Sequence, residues 1–367
     1  MRYLLTSLLA TGLCIHSALA ADAPAIHHTI VFQEEGRFAA WPANHGIWSW
    51  DNEIVVGFVL AYHKLNPEGG HDIDRSRPST VRQARSLDGG ETWTVEDPKL
   101  PNVRRDEFAS QDGTKSLASP IDFSSPDMAV KFYMGDVYYS GDRCRTWQGP
   151  YQLPTFGRSR LLARTDYLIE GRDRITAFVA AAKAESEQEG QPLCIRTTDG
   201  GLTWNLVGWI GPQPPLNYGY AIMPATVRVG ETGYLSMIRR GGAFDGEKRW
   251  WVEPWLSHDD GKSWYLLDQP QISNGGNPAT LTRLRNGNLA LAYGWRHSPY
   301  GIRTRISQND GQSWSNERSI RSDGTGWDIG YPRTVQRADG KCVTIYYYYN
   351  DDSPERYIAC TIWTPES

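Results

Sequence analysis

The chain of 367 residues lacks the features that mark several common classes of protein. It has only five cysteines, one of them within the first 20 residues, and no Cys/His spacing that resembles a zinc site. It contains no H-E-x-x-H motif and no glycine-rich phosphate loop, so we expect no metal site and no cofactor. Beyond residue 20, no run approaches the roughly 20 apolar residues of a membrane helix, which argues against a transmembrane segment.

An excess of charge of one sign is also absent. The formal net charge is −4, and the lysines and arginines are spread along the chain instead of forming a basic stripe. Nucleic acid is therefore not an expected partner. Aromatic residues are abundant by contrast, with 15 Trp and 19 Tyr. Such rings pack well between strands and also stack on sugar rings.

The first 20 residues have the pattern of a secretory signal peptide. Arg2 gives a positive start, Leu4–Ile15 is apolar, and Ala18–Ala20 provides a small-residue cleavage site. We therefore expect a mature protein that begins near Ala21 and is periplasmic or secreted. An oxidising compartment permits disulfides, and the candidate pairs are Cys342 with Cys360 and Cys144 with Cys194.

An eight-residue phrase occurs five times, beginning at Ser86, Ser140, Thr197, Ser257 and Ser307. Its pattern is Ser/Thr, any residue, Asp/Asn, any residue, Gly, any residue, Thr/Ser, Trp, with cysteine in place of glycine in the second copy. Asp and Asn bond to the backbone two residues on, and glycine adopts positive φ without a steric penalty. The phrase therefore predicts a hairpin turn, after which the Trp begins the next strand.

The spacing of the phrases predicts the architecture. Successive copies begin 54, 57, 60 and 50 residues apart, so each period holds about four strands, and the remaining chain accommodates roughly six such units. This pattern is typical of a propeller. We predict an all-β, six-bladed β-propeller that comprises residues 21–367 as one domain. The sixth copy is expected to be missing from the blade that joins the two chain ends.

The five phrases resemble the Asp boxes, or BNR repeats, of the sialidase (neuraminidase) superfamily. That resemblance implies a monomeric, secreted exo-glycoside hydrolase, similar to an exo-α-sialidase, that releases terminal sialic acid or a related anionic sugar from glycans. Asp boxes also occur in other glycosidases, in lyases and in non-catalytic propellers, so their expected role is structural. We expect them at the rim opposite the active face.

The resemblance also implies candidate substrate-binding arginines. Enzymes of this family hold the substrate carboxylate with three arginines, whose planar guanidinium pairs with a carboxylate through two hydrogen bonds. The candidates for these three places are Arg37 on the opening strand, Arg239 ahead of the fourth box and Arg303 ahead of the fifth box. Since side chains alternate along a strand, only one of Arg239 and Arg240 faces inward. Arg296 is the alternative to Arg303.

The catalytic candidates are an aspartate and a tyrosine. Asp74, with Asp72 in reserve, lies in a long loop over residues 66–79 and precedes the first box as the acid of the family does. Tyr331, in Gly330-Tyr331-Pro332, resembles the Gly-Tyr-Ser stretch that carries the nucleophile, and sialidases do use a Tyr nucleophile.

One part of the family pattern is missing. The glutamate that activates the tyrosine would lie near residues 223–225, and this chain has Met-Pro-Ala there. Because free tyrosine is a weak nucleophile, another carboxylate such as Asp328 must serve, or the reaction differs. A lyase that uses Tyr331 or His297 as base and acid, another glycosidase, and a non-catalytic glycan-binding propeller are the alternatives. Convergence of the three arginines with Asp74 and Tyr331 would favour an enzyme.

Overall fold

The computed structural model describes residues 26–100, 116–244 and 246–365. The predicted signal peptide, residues 1–20, lies outside them. The regular elements, in chain order, are β1 His27–Phe32, β2 Arg37–Ala40, α1 Pro42–His45, β3 Ile47–Trp50, β4 Glu53–Tyr62, β5 Thr80–Ser86, β6 Thr94–Glu96, β7 Ala129–Tyr133, β8 Asp136–Ser140, β9 Gln148–Gln152, β10 Tyr167–Ile169, β11 Ile175–Ala182, β12 Glu189–Thr197, β13 Asn205–Trp209, β14 Tyr220–Val229, β15 Gly233–Phe244, β16 Glu247–Ser257, β17 Tyr265–Leu266, β18 Ala279–Arg283, β19 Leu289–Trp295, β20 Tyr300–Ser307, β21 Arg318–Gly324, β22 Gly330–Gln336, β23 Cys342–Asn350 and β24 Ser353–Trp363.

The strands form six antiparallel sheets, which are the blades of a propeller. Blade 1 contains β2 to β6, blade 2 contains β7 to β9, blade 3 contains β10 to β13, blade 4 contains β14 to β17, and blade 5 contains β18 to β21. Blade 6 has the order β1-β24-β23-β22, so the first strand of the chain completes the sheet of the last three. The predicted six-bladed, all-β propeller is confirmed. Because β1 replaces a strand that would follow β24, blade 6 has no box, as the spacing predicted.

Each box connects the two strands that flank it in the chain, which are neighbours in the same blade, and each box uses the same hydrogen bonds. In the first box the Ser86 hydroxyl accepts a bond from the Gly90 N–H at 2.8 Å, and the Asp88 carboxylate accepts one from the Thr92 N–H at 2.9 Å. The indole N–H of Trp93 donates to the Gly90 carbonyl at 3.0 Å. The hydroxyl and carboxylate or amide bonds recur in the other four boxes. The box is therefore a turn whose backbone groups are satisfied by its own side chains.

Apolar side chains fill the space between adjacent blades. Phe58 of blade 1 packs with Ile345 of blade 6, and Leu235 of blade 4 packs with Leu291 of blade 5. The middle strands are consequently buried on both faces and consist of nearly continuous apolar residues, as in β11. In the described residues no helix has the length and apolar character to cross a membrane, and no group of three or more His, Cys, Asp or Glu forms a metal site.

The cysteine pairs suggested by the sequence do not form. Cys144, Cys194, Cys342 and Cys360 are buried free thiols. Cys342 lies opposite Trp363 across β23 and β24, whereas Cys360 lies opposite a different residue, so their side chains are not adjacent. Burial raises the pKa of the Cys342 and Cys360 thiols to about 12, which keeps them protonated and unreactive.

The two ends of the blades differ in their connections. Leu289, at the start of β19, pairs with Ser307, the first residue of the fifth box, whereas Trp295 at the other end of β19 pairs with Gly301. We call these ends of the propeller the box end and the cleft end. In blade 1, α1 interrupts the inner strand midway along β4, because β2 and β3 both pair with β4 on the same side. Gly46 closes this helix at φ 93, where a Cβ atom would meet Thr165.

Candidate functional site

A cleft of about 1110 Å³ opens at the cleft end of the propeller. Inner strands of neighbouring blades contact one another around the axis, and α1 contacts β22 and β7, so side chains from distant parts of the chain meet there. Its lining includes Trp41, Asn44, His71, Tyr133, Arg164 and Tyr331. The cleft therefore has an aromatic and cationic wall.

The backbone holds Tyr331 in a strained conformation at the start of β22. Its φ is 52, in the left-handed region that a bulky residue rarely adopts. The side chain of Asn277 maintains this geometry, because its carbonyl accepts the Tyr331 N–H at 2.9 Å and its amide donates to the Ile329 carbonyl at 2.6 Å. Gly330 is required because a Cβ atom there would collide with the Asn277 side chain. The ladder between β22 and β23 is broken over these residues, which directs Tyr331 out of the sheet.

Arg239 donates a hydrogen bond to the phenolic oxygen of Tyr331 at 2.8 Å. The same guanidinium contacts the sulfur of Met223 at 3.5 Å and lies 5.1 Å from the ring centre of Tyr220. Its Nε atom is buried without a hydrogen-bond partner in the described structure. The guanidinium is therefore held by aromatic and sulfur contacts and retains donors for another group.

Arg296 lies on the other side of Tyr331. It donates from Nε and from a terminal nitrogen to the Ile329 carbonyl, at 3.2 and 3.1 Å, and to the Tyr347 hydroxyl at 2.9 Å. Its guanidinium carbon is 5.7 Å from the Tyr331 ring centre and 5.3 Å from that of Trp327, which is 42% exposed. Arg296 therefore contacts both Tyr331 and the exposed ring of Trp327.

Neither of these two arginines has a carboxylate within 4.0 Å among the described residues. Arg164, also at the cleft, lies 3.5 Å from Glu189, so one acidic group partly balances the region. Arg296 is buried and Arg239 is partly buried, and a guanidinium in such a place without an anionic partner is costly because its desolvation is not compensated. Arg239 and Arg296 therefore place positive charge next to Tyr331, which lines the cleft, and an anionic ligand there would neutralise it.

A histidine and an aspartate form a pair beside the tyrosine. Nδ1 of His71 lies 2.8 Å from the Asp328 carboxylate, which is fully buried and also accepts the Tyr347 hydroxyl at 2.7 Å and Nε of Arg356 at 3.1 Å. Burial favours the neutral form of Asp328, but the bonds from His71, Tyr347 and Arg356 outweigh it and lower its pKa. The His71 ring packs edge-on against Trp41, with centroids 5.0 Å apart.

The aspartates chosen from the sequence have other partners. The Asp74 carboxylate accepts hydrogen bonds from the Ser76 hydroxyl at 2.6 Å and the Ser76 N–H at 3.1 Å, and these bonds lower its pKa. Asp72 pairs with Arg356 at 2.6 Å and accepts the Asn66 N–H at 2.9 Å. Both carboxylates stabilise the loop over residues 66–79, and neither belongs to the lining of the cleft.

Of the three predicted arginines, the structure brings only Arg239 to Tyr331. Arg37 donates from Nε to the Ala61 carbonyl at 2.9 Å and stacks on Tyr62 at 4.2 Å. Arg303 forms an ion pair with Glu317 and lies 3.9 Å from the ring centre of Trp295. Its alternative, Arg296, is the one beside Tyr331.

The structure also shows where Arg240, the region of the missing glutamate and Asp328 lie. Arg240 points to the other face of β15 and pairs with Glu253 at 3.3 Å, so Arg239 is the member of the pair that faces the cleft. Met223 contacts Arg239 in the region where the family has its glutamate. Within the described ranges no carboxylate is hydrogen-bonded to the Tyr331 oxygen, and Asp328 bonds to Tyr347 instead.

The sequence analysis did not identify several residues that line the cleft or hold Tyr331 in place. His71 lies next to Asp72 in the loop that was considered, and Asn277 belongs to Asn274-Gly275-Gly276-Asn277, a turn-forming sequence. Trp41 precedes Pro42 on the first inner strand. The local signals were therefore turns and breaks in strands close to the predicted residues.

A family model described as a BNR repeat-like domain matches residues 125–344. The chain belongs to this family. A search among curated protein sequences found no significant relative.

Solved structures with the same fold include proteins with and without an assigned activity. A protein of unknown function from Dyadobacter fermentans is 20% identical, with a TM-score of 0.68, and the match covers 94% of this chain and 100% of that one. A mutant of the NanB sialidase from Streptococcus pneumoniae is 12% identical, with a TM-score of 0.58 and coverage of 91% and 70%. An α-L-arabinanase from Penicillium chrysogenum, complexed with arabinobiose, is 12% identical, with a TM-score of 0.54 and coverage of 93% and 98%. The fold is thus one that glycoside hydrolases use.

Proposed function

We propose that the protein is a glycoside hydrolase that releases a terminal anionic sugar, sialic acid or a related sugar acid, from glycans. One observation carries the proposal, which is that two guanidinium groups without carboxylate partners flank a strained tyrosine in an open cleft. An arginine that has no protein anion is suited to a substrate carboxylate, which it holds through two hydrogen bonds. Export, which the first 20 residues predict, would bring the enzyme to extracellular glycans.

In this proposal Tyr331 is the nucleophile. A tyrosine carries no charge until it is activated, so it does not repel an anionic sugar in the way that a permanently ionised carboxylate would, and sialidases use this solution. The N–H donated by Arg239 at 2.8 Å stabilises negative charge on the phenolic oxygen as it reacts. Arg239 therefore stabilises the phenolate form of Tyr331 in a chain that has Met223 in the region where the family has its activating glutamate. The likeness of the fold to a sialidase and an arabinanase supports a glycoside substrate by analogy alone, and the residues around Tyr331 carry the proposal.

The experiment compares fluorogenic sialosides and uronosides as substrates of the purified protein. We expect release of free sugar from at least one of them, and we expect Tyr331→Phe to abolish it while the thermal midpoint stays unchanged. Tyr265→Phe is the matched control, since Tyr265 is exposed at the box end. Full activity of Tyr331→Phe, or no turnover of any anionic glycoside, would refute the proposal.

Elimination across a uronate is the second candidate. It is favoured by the absence of a carboxylate beside the Tyr331 oxygen in the described residues, because an elimination needs a base and an acid but no activated nucleophile. His297, considered from the sequence, is exposed and packs edge-on against Trp295 with ring centroids 5.0 Å apart, whereas Tyr331 lines the cleft, so Tyr331 is the better base. Products with a new ultraviolet absorbance from uronate polymers, and no reducing sugar from glycosides, would favour elimination.

A further inference from the structure

A long loop carries His71 to the cleft in a fixed position. After β4, residue 63 pairs with Ile73 in an isolated bridge, and the Lys64 N–H donates to the Asp72 carbonyl at 3.1 Å. These bonds anchor the loop on both sides of His71. The imidazole ring then packs between Trp41, at 5.0 Å, and Trp327, at 5.7 Å between centroids. Ring rotation is therefore restricted by packing.

The hydrogen bond to Asp328 determines which ring nitrogen carries hydrogen. The Asp328 carboxylate is an acceptor for three donors, namely the Tyr347 hydroxyl, Nε of Arg356 and Nδ1 of His71. Because an ionised carboxylate only accepts, the short contact of 2.8 Å requires a hydrogen on Nδ1. Nε2 is then the nitrogen that gains and loses a proton.

Nε2 of His71 is available for a substrate. Nδ1 is its only ring nitrogen with a hydrogen bond inside the described structure, and the side chain is 27% exposed on the lining of the cleft. The carboxylate of Asp74, by contrast, is engaged by Ser76 and lies off the lining. The loop that was expected to supply an acidic aspartate supplies a histidine oriented by a buried carboxylate.

We infer that His71 is the general acid and base of the cleft and that Asp328 is its positioning residue. The inference rests on the proposed hydrolysis. In the first step Nε2 of the protonated His71 gives its proton to the glycosidic oxygen, which leaves with the electron pair of the broken bond, while the ionised Tyr331 oxygen bonds to the anomeric carbon. In the second step Nε2 takes a proton from water, whose oxygen displaces Tyr331. The sum is glycoside plus water giving sugar plus alcohol.

The test uses two glycosides of the same anionic sugar that differ in the leaving group. An aryl group leaves without protonation, whereas an alkyl alcohol needs a proton from the enzyme. For His71→Gln we expect kcat on the alkyl glycoside to fall about 10³-fold, in the range of general acid catalysis, and a much smaller loss on the aryl glycoside. His258→Gln is the matched control, because His258 packs against Tyr265 at the box end, away from the cleft.

Asp328→Asn tests the positioning role. We expect kcat on the alkyl glycoside to fall more than kcat on the aryl glycoside, with KM unchanged and by a smaller factor than in His71→Gln. A purely structural role of Asp328 would lower both rates equally. Thermal melting of each variant verifies that the fold is retained.

The outcomes separate the two proposals. If the wild type hydrolyses neither glycoside, the proposed function fails and the inference fails with it. If the wild type is active but His71→Gln loses nothing, or loses equally on both glycosides, only the inference is overturned. A loss confined to the alkyl glycoside in Asp74→Asn instead of His71→Gln would likewise overturn it and restore the aspartate.

Discussion

Two clusters of arginines at the box end have carboxylate partners, whereas Arg239 and Arg296 at the cleft end have none among the described residues. Glu53, between blades 1 and 2, forms ion pairs with Arg85 at 2.6 Å, Arg143 at 3.0 Å and Arg145 at 3.1 Å. These bonds connect β4 and β5 with the turn of the second box. A paired charge of this kind joins neighbouring blades, and breaking it leaves partners uncompensated.

A second ionic network at the box end joins blades 3 and 4. Glu170 accepts bonds from Arg174, Arg228 and Tyr234, and Asp260 of the fourth box pairs with Arg174 at 2.7 Å and with Arg196 at 2.8 Å. At the cleft end, Arg239 and Arg296 contact aromatic rings and neutral oxygens instead. The difference indicates that charge at the box end serves assembly of the blades and charge at the cleft end serves a ligand.

The largest expected effect is on activity when an arginine of the cleft is removed. For Arg239→Met we expect kcat/KM to fall by about 10³-fold, as when a single donor that stabilises the transition state is lost. We also expect the thermal midpoint to stay the same or rise, since an unpaired half-buried charge disappears. Steady-state kinetics and calorimetry measure the two quantities on the same preparation.

The matched variant for this prediction is Arg85→Met at the box end. Arg85 is 7% exposed and binds both Glu53 and Glu96. We expect a lower thermal midpoint and an unchanged kcat. If both variants lost stability and neither lost activity, the distinction between the two ends would be wrong.

The next effect is on stability when the acid of the second network is removed. For Glu170→Gln we expect the free energy of unfolding to fall by about 3 kcal/mol, because Arg228 and Arg174 lose a carboxylate whose side chain is 8% exposed. Urea denaturation measures the change, and kcat should stay the same. A change within about 0.5 kcal/mol, typical of an ordinary surface substitution, would mean that Asp260 alone maintains the network.

Local sequence was sufficient to predict the fold. Each box contains the groups that satisfy its own turn, so five copies at regular spacing identify five blades, and closure by β1 explains the absent sixth. Tyr331 and Arg239 were predicted as site residues from similar local signals, since one follows a glycine at a strand start and the other lies on a strand ahead of a box. The sequence therefore predicted the features that depend on residues close together in the chain, namely the turns, the blades and these two candidate residues.

The rest of the site depends on contacts that are distant in sequence. His71 and Asp328 are 257 residues apart and meet only because ring closure makes blades 1 and 6 neighbours. Arg296 lies one residue beyond the end of β19, where alternation along a strand no longer predicts orientation. Asp74, by contrast, has a partner close in sequence, because its carboxylate accepts a hydrogen bond from Ser76 two residues on. The sequence Asp-x-Ser favours such a turn.

The smallest expected effect concerns the boxes themselves, where two blades provide a natural comparison. Asp88 and Asn309 occupy the same box position, and Asn309 accepts the Ser313 N–H at 2.9 Å while its amide donates to the Ser313 hydroxyl at 2.8 Å. Asp88→Asn should therefore retain the turn. We expect it to cost less than about 1 kcal/mol at neutral pH, because the site is exposed and its interactions are screened.

The pH dependence of that cost distinguishes charge from geometry. Burial opposes ionisation of Asp88, but hydrogen bonds from Thr92 and Ser86 prevail and lower its pKa from 3.8 to about 2. Because the folded-state pKa lies below the unfolded one, the carboxylate stabilises the fold above about pH 4, and this contribution is lost as the pH falls through about 2. The thermal midpoints of wild type and Asp88→Asn should thus converge on acidification, and Asn309→Asp should gain stability above about pH 4. A difference that stays constant with pH would show that the box depends on shape and hydrogen-bond count instead of charge.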